Sequence, residues 1–324
     1  MRANAVFEGG GVKGIGLAGA VAEMEAAGYR WLRVAGTSAG ALVASLLAAG
    51  YTGAEMGQLL HEEDFRRFAD RDCLPPVVAL AMRGGVYRGL RFEAWLRDLL
   101  AARGIRCFGD LEVGEHPRGQ YPLQVIASDL SLRRVLVLPR DASRYGLDPD
   151  RLDVARAVRM SASVPFFYEP VRLARFSGQS VIVDGGLLSN FPIWLVDTNG
   201  KPTHPAFGFR LIEPSSGRPT PIRGPLSLTL ALVSTMLQAH DQRHLEERDW
   251  VRTVAIPTLG VGTLEFDLSS QRKRELFAAG REAARRFLQT WSFPAYLAKY
   301  GCSGPRKELR RPGGNPFLSA TRQE

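Results

Sequence analysis

Apolar positions along this chain gather into short runs, each closed by glycine, and the runs alternate between strand-like and helix-like spacing. Ala3–Glu8 is strand-length and mostly Ala, Val and Phe, and it ends at Gly9-Gly10-Gly11. Lys13–Ala27 follows with helical spacing and stops at Gly28, where a helix C-terminus favours glycine. Trp31–Ala35 predicts a second strand, and Ala39–Ala49 a helix of small residues ended by Gly50. Thr52 and Glu55 form a capping box that opens a further helix. Strand, helix, strand, helix at this spacing implies parallel pairing and an α/β sheet.

The alternation continues. Arg91–Arg103 is helical, with apolar residues at Phe92, Trp95, Leu96, Leu99 and Leu100. Leu123–Ser128 and Arg134–Leu138 predict a hairpin around a short turn. A short helix follows at Leu152–Val158, with strands at Ser180–Val183, Ala206–Ile212 and Thr253–Ile256. Helices are expected at Leu226–His240 and Ser270–Gln289. The Pro/Ser/Gly-rich loop Glu213–Gly224 reads as an insertion, because the elements beyond it keep the same alternation. One domain over residues 1–302 is therefore expected. Ser303–Glu324 is rich in Pro, Gly and basic residues without periodicity, and is expected to be a flexible tail. Leu74–Met82 and Leu226–Leu237 are apolar stretches that fit either an acyl channel or bilayer contact, or, more commonly, buried core.

Composition narrows the class. With 324 residues, 45% hydrophobic and 23% charged, the chain has enough apolar surface for a large core without staples. Cys73, Cys107 and Cys302 are odd in number and lack metal-ligand spacing, so they are expected to be reduced thiols in a cytoplasmic protein. No secretory leader is expected, since no basic segment followed by an apolar stretch stands at Met1, and no apolar run reaches the ~18 residues of a bilayer span. The net charge of +9 comes from arginine, since Lys13, Lys201, Lys273, Lys299 and Lys307 are the only lysines. This bias has two explanations: a GC-rich genome, or attraction to an anionic surface. No aromatic-interleaved basic motif points to nucleic acid. A peripheral position at the inner membrane surface fits better, and Arg306, Lys307, Arg310 and Arg311 in the tail would contribute to it.

Three segments carry candidate chemistry, each directly after a strand-like run. Gly9-Gly10-Gly11-Val12-Lys13-Gly14 can aim backbone N–H groups at an oxyanion, with Gly10 and Gly11 as the donors. Gly36-Thr37-Ser38-Ala39-Gly40 can present Ser38 as a nucleophile on a tight strand-to-helix elbow, with Gly36 and Gly40 leaving room for it. Asp184-Gly185-Gly186 can place Asp184 as the base, with Gly185 and Gly186 turning the chain away. Each segment has a plainer explanation: a serine N-cap, a dinucleotide-binding turn, an aspartate capping a turn. The dinucleotide alternative lacks its acidic residue, since Trp31-Leu32-Arg33-Val34-Ala35-Gly36 occupies that region.

In content and order, the three segments resemble the patatin-like phospholipase family. Ser161-Ala162-Ser163-Val164-Pro165-Phe166-Phe167 and Asn190-Phe191-Pro192 also look like that family, and the likeness is clearest from Asn4 to Trp194. The resemblance implies a three-layer αβα fold with a mainly parallel central sheet. It also implies a Ser38–Asp184 dyad with no catalytic histidine, calcium-independent chemistry without a cofactor, and a phospholipid or other acyl-lipid substrate. Lys13 stands where the family also has a basic residue. A Ser-acid-His triad stays formally open, because His204, His240 and His244 follow Asp184, whereas His61 and His116 precede it. Acyl transfer through the same acyl-enzyme, and a lipid-binding or signalling module with a silent site, are the remaining alternatives to hydrolysis.

Overall fold

The first apolar run forms β1 (Arg2–Phe7), and the alternation predicted after it is present in a computed structural model of the chain. The structure describes residues 1–111, 121–175, 178–197, 200–213, 222, 231, 235 and 246–301. After β1 come α1 (Gly14–Ala26), β2 (Arg30–Thr37), α2 (Ala39–Ala48) and α3 (Gly53–Glu62). Then follow α4 (Pro76–Arg83), β3 (Gly85–Tyr87), α5 (Leu90–Ala101), the hairpin β4 (Leu123–Asp129) and β5 (Arg134–Leu138), and α6 (Val154–Ser161). The chain continues through β6 (Phe166–Tyr168), β7 (Val171–Arg175), β8 (Gly178–Asp184) and β9 (Ala206–Ile212). The last described elements are α7 (Glu247–Val251), β10 (Thr253–Pro257), α8 (Ser270–Thr290) and α9 (Phe293–Tyr300). Of the predicted helix Leu226–His240 only Ala231 and Thr235 are described, both helical, and the tail Ser303–Glu324 and Cys302 lie outside the described residues; Cys73 and Cys107 are free thiols.

Eight strands form the main sheet in the order β10-β9-β1-β2-β4-β8-β7, with β5 paired to β4. The run from β10 to β4 is parallel, whereas β8 is antiparallel to both β4 and β7. A second, two-stranded sheet joins β3 and β6 in parallel.

Strand alternation divides the core. Ala3, Ala5 and Phe7 of β1 face the large cluster built with α1, α2, α3, α5, α6 and α8. Val6, Ala35 and Ile126 face the opposite side, where Phe191 and, from the one-turn helix Ile193–Val196 after it, Ile193, Leu195 and Val196 cover them. The mainly parallel sheet therefore lies between a thick helical layer and a thinner one.

Helix α3 starts where predicted: Thr52 accepts from the Glu55 N–H at 3.2 Å, and Glu55 accepts from the Thr52 N–H at 2.8 Å. Helix α5 has no local cap of this kind. Its first amides, on Gly89, Leu90 and Arg91, donate instead to the buried carboxylate of Asp70, about one helix-length earlier in sequence.

Candidate active site

Parallel register brings the first two motifs together. Phe7 of β1 pairs with Gly36 of β2, so the glycine loop after β1 and the elbow after β2 emerge side by side. An added Cβ on Gly36 would meet the Gly40 backbone, and one on Gly40 would meet the carbonyls of Phe7 and Glu8. Only two bare backbones allow α2 to start this close to the sheet. Ser38 itself takes φ 53° and ψ −120°, a strained conformation for a residue with a side chain. Its N–H donates to the Ser161 hydroxyl at 2.8 Å, and that hydroxyl in turn donates to the Ile126 carbonyl. Ser38 is the N-cap residue of α2, so the positive end of that helix dipole faces the site.

Asp184 arrives from the other direction. Because β8 is antiparallel, its last residue pairs with Ala127 of β4, while the adjacent Ile126 pairs with Thr37. This register sets Asp184 beside Ser38 across the sheet. Its N–H donates to the Ser163 carbonyl at 2.9 Å, and its Oδ1 accepts from the Gly186 N–H at 2.8 Å. An added Cβ on Gly185 would strike the Ile126 carbonyl, so the turn after Asp184 also depends on a bare backbone.

Asp184 is 1% exposed, and its carboxyl pKa is pushed up to about 6. Burial is the main cause; the Gly186 N–H and the Ser38 hydroxyl oppose it by favouring the charged form. The serine contact is not an aligned hydrogen bond, and Oδ2 is buried without a partner. The free carboxylate oxygen is thus the one left for the serine hydroxyl.

The glycine loop is fixed at its edges and open in its middle. The Gly9 N–H donates to the Asn190 carbonyl at 3.1 Å and the Val12 N–H to the Thr263 carbonyl at 3.2 Å. The Gly10 and Gly11 N–H groups have no acceptor among the described residues. Gly11 has φ 59°, and a Cβ there would collide with the Thr263 carbonyl; at Gly10 it would meet only the end of the Leu211 side chain. Gly14 opens α1 and touches α2, with 3.1 Å between an added Cβ and that of Ala39.

Two spaces meet at Ser38. A cleft of about 310 Å³ is lined by Glu8, Lys13, Ser38, Asp184, Asn190 and Arg210, among others. A narrower apolar pocket of about 80 Å³ is lined by Leu42, Phe65, Phe68, Phe92, Tyr168 and Phe266, and it also reaches Ser38. Val164 borders both. Neither His61 nor His204 lines either space; His204 borders a separate pocket beside Arg248 and Arg252. His116, His240 and His244 lie outside the described residues. Lys13 is not a solvated helix-start lysine: its side chain is 7% exposed and pairs with Glu213 at 2.9 Å.

Sequence reasoning missed several residues that shape the site. Glu8 is buried at the end of β1, where Arg210 meets it at 3.4 Å and the Leu211 N–H donates to it. Asn190 reaches the Gly9 carbonyl through Nδ2 at 3.3 Å. Together they anchor the start of the glycine loop. An acid closing a buried strand was the available signal for Glu8. Asn190 and Ser161 lie in stretches noted above for their resemblance, but without a role.

A family model described as patatin-like phospholipase matches residues 5–197. The chain is 43% identical over 300 residues to the uncharacterized protein YqhO of Bacillus subtilis, covering 90% of this chain and 100% of that protein. It is 28% identical over 307 residues to the uncharacterized NTE family protein Rv2565 of Mycobacterium tuberculosis, covering 88% of this chain but only 46% of that protein. VipD from Legionella pneumophila superposes with a TM-score of 0.58 at 16% identity, over 89% of this chain and 67% of VipD. At that identity the likeness is one of fold.

Proposed function

The chain belongs to the patatin-like phospholipase family, whose members' shared chemistry is lipid hydrolysis, and we propose that it cleaves fatty-acyl esters with Ser38 as nucleophile and Asp184 as base. One observation carries this: a strained serine stands beside a buried carboxylate whose free oxygen has no other partner, where a polar cleft meets an apolar pocket. The acyl chain suits the aromatic pocket and the head group suits the cleft. The ester carbonyl then falls at Ser38.

Ser38 Oγ attacks the carbonyl carbon as its proton passes to Asp184 Oδ2. A carboxylate whose pKa is about 6 is ionised at neutral pH and is a better base than an ordinary aspartate. The negative charge that develops on the carbonyl oxygen is taken by the Gly10 and Gly11 N–H groups and favoured by the α2 N-terminus. Each well-placed donor contributes roughly 3 kcal/mol to the transition state. When the intermediate collapses, the carboxylic acid returns its proton to the departing alkoxide. Water then enters, gives its proton to Asp184 and attacks the acyl-serine, and the fatty acid leaves as Ser38 recovers its proton.

The test is labelling and turnover on the full chain. Wild type should react with a fluorophosphonate probe and release fatty acid from phospholipid or a short-chain ester, and Ser38→Ala should do neither while keeping its melting curve. Turnover near wild type in folded Ser38→Ala would remove the serine from the mechanism. Unlabelled, inactive wild type would favour a silent lipid-binding module.

A further inference from the structure

The apolar stretch Leu74–Met82, for which buried core was the commoner expectation, is not core. It forms most of α4, and of that helix only Ala79 is buried. Val77 is 78% exposed and Met82 70% exposed, with Val78 and Ala81 also facing outward. Pro75 and Pro76 set the start of the helix and left-handed Gly84 ends it, so it is a defined element rather than a collapsed loop.

Helix α4 sits on an excursion pinned at its base. Asp70 holds both ends together: its carbonyl accepts from the Arg88 N–H at 3.0 Å and its carboxylate from the Gly89 N–H at 2.6 Å. Buried Arg159 braces the same point through the Gly89 carbonyl at 3.1 Å. The excursion leaves from Phe68 and returns to Phe92, whose rings pack 5.5 Å apart and line the apolar pocket at Ser38. Beside it, β3 pairs with β6, where Phe166 is also exposed, between the pocket residues Val164 and Tyr168. Exposed apolar surface is therefore continuous in the chain with the pocket wall on both sides.

The charge around this surface identifies its partner. Between Phe65 and Phe92 there are six arginines and two aspartates, and one of the aspartates is the buried Asp70. Arg66, Arg67 and Arg83 pair with carboxylates. Arg71, Arg88 and Arg91 are exposed and form no ion pair among the described residues. An exposed apolar helix flanked in the chain by exposed guanidinium groups outside any ion pair, with Arg71 also lying over the Tyr87 ring at 5.9 Å, matches the interface of an anionic bilayer, with acyl chains below and phosphates above.

We infer that α4, with Phe166 beside it, inserts into an anionic lipid surface and brings the bilayer to the mouth of the apolar pocket at Ser38. This rests on the reading of the chain as a lipid hydrolase, which it extends by naming the surface from which substrate enters.

The test compares the full chain with Val77→Glu/Met82→Glu, two exposed positions whose change leaves the core intact. Sedimentation with phosphatidylglycerol–phosphatidylcholine vesicles should weaken on the order of tenfold in the variant, and hydrolysis of vesicle phospholipid should fall with it. Hydrolysis of a water-soluble short-chain ester should be unchanged. A second variant, Arg71→Gln/Arg88→Gln/Arg91→Gln, should lose the preference for anionic over neutral vesicles and flatten the salt dependence. Equal vesicle binding by wild type and both variants overturns the inference, as does wild type that binds no vesicles. Light scattering that shows a wild-type dimer and a monomeric variant, without vesicle binding, assigns the face to a second copy and also overturns it. If wild type hydrolyses no ester at all, the catalytic reading fails, while sedimentation still decides the role of α4.

Discussion

Replacing Asp184 with asparagine should abolish turnover and stabilise the protein, with a pH signature that identifies the carboxylate. Asp184 titrates at about 6 in the folded chain against an ordinary value of 3.8. Because the folded value is the higher one, the ionised carboxylate opposes folding. The penalty is absent below about pH 4, grows between the two pKa values and is complete above about pH 7. Two pKa units and a little more correspond to about 3 kcal/mol at pH 8 and roughly half of that at pH 5. Asparagine keeps an oxygen for the Gly186 N–H but carries no charge to desolvate. The advantage of Asp184→Asn over wild type in urea unfolding should therefore widen between pH 5 and pH 8, on the order of 1 kcal/mol, whatever fixed offset the amide introduces. At pH 8 the gain corresponds to roughly 4 °C in Tm for a chain of this size. The same ionisation should appear in wild-type kinetics as an acid limb in kcat/KM centred near pH 6, since only the carboxylate accepts the serine proton. A stability difference that stays flat from pH 5 to pH 8 would show that Asp184 does not titrate in this range, and its burial would then not be what raises its basicity.

Ser38→Gly should also stabilise the fold while removing activity, by about 1 kcal/mol, because φ 53° and ψ −120° suit glycine; a lower Tm than wild type would contradict the strain. Gly10→Ala should fold normally and lower kcat more than it raises KM, since the Leu211 side chain can yield. Gly11→Ala should lose stability as well, because its Cβ meets the Thr263 carbonyl; equal melting curves for the two would refute the distinction. Ser161→Ala removes the acceptor for the Ser38 N–H and should lower kcat at least tenfold with little change in KM or in the pH of the acid limb; Ser161→Thr should recover part of it.

What the sequence determined by itself was local and steric. A strand followed by a helix with no room between them requires Gly36 and Gly40, so that elbow was readable as geometry before any fold was known, whereas the left-handed turn at Gly11 was seen only in the structure. The capping box at Thr52 and Glu55 and the hairpin from Leu123 to Leu138 were legible for the same reason, since their partners lie within a few residues. Direction across the sheet was not. The run Ser180–Val183 predicts a strand, but only long-range pairing makes β8 antiparallel and sets Asp184 opposite Ala127, near the serine. The raised pKa of Asp184 follows from burial by residues distant in sequence, and the cap on α5 comes from Asp70. Helix α4 shows the limit most plainly. In sequence Leu74–Met82 is an unbroken apolar run, and such a run records which residues avoid water, not whether protein or something else covers them. Only the packing of the other elements, which leaves Val77 and Met82 uncovered, decided that.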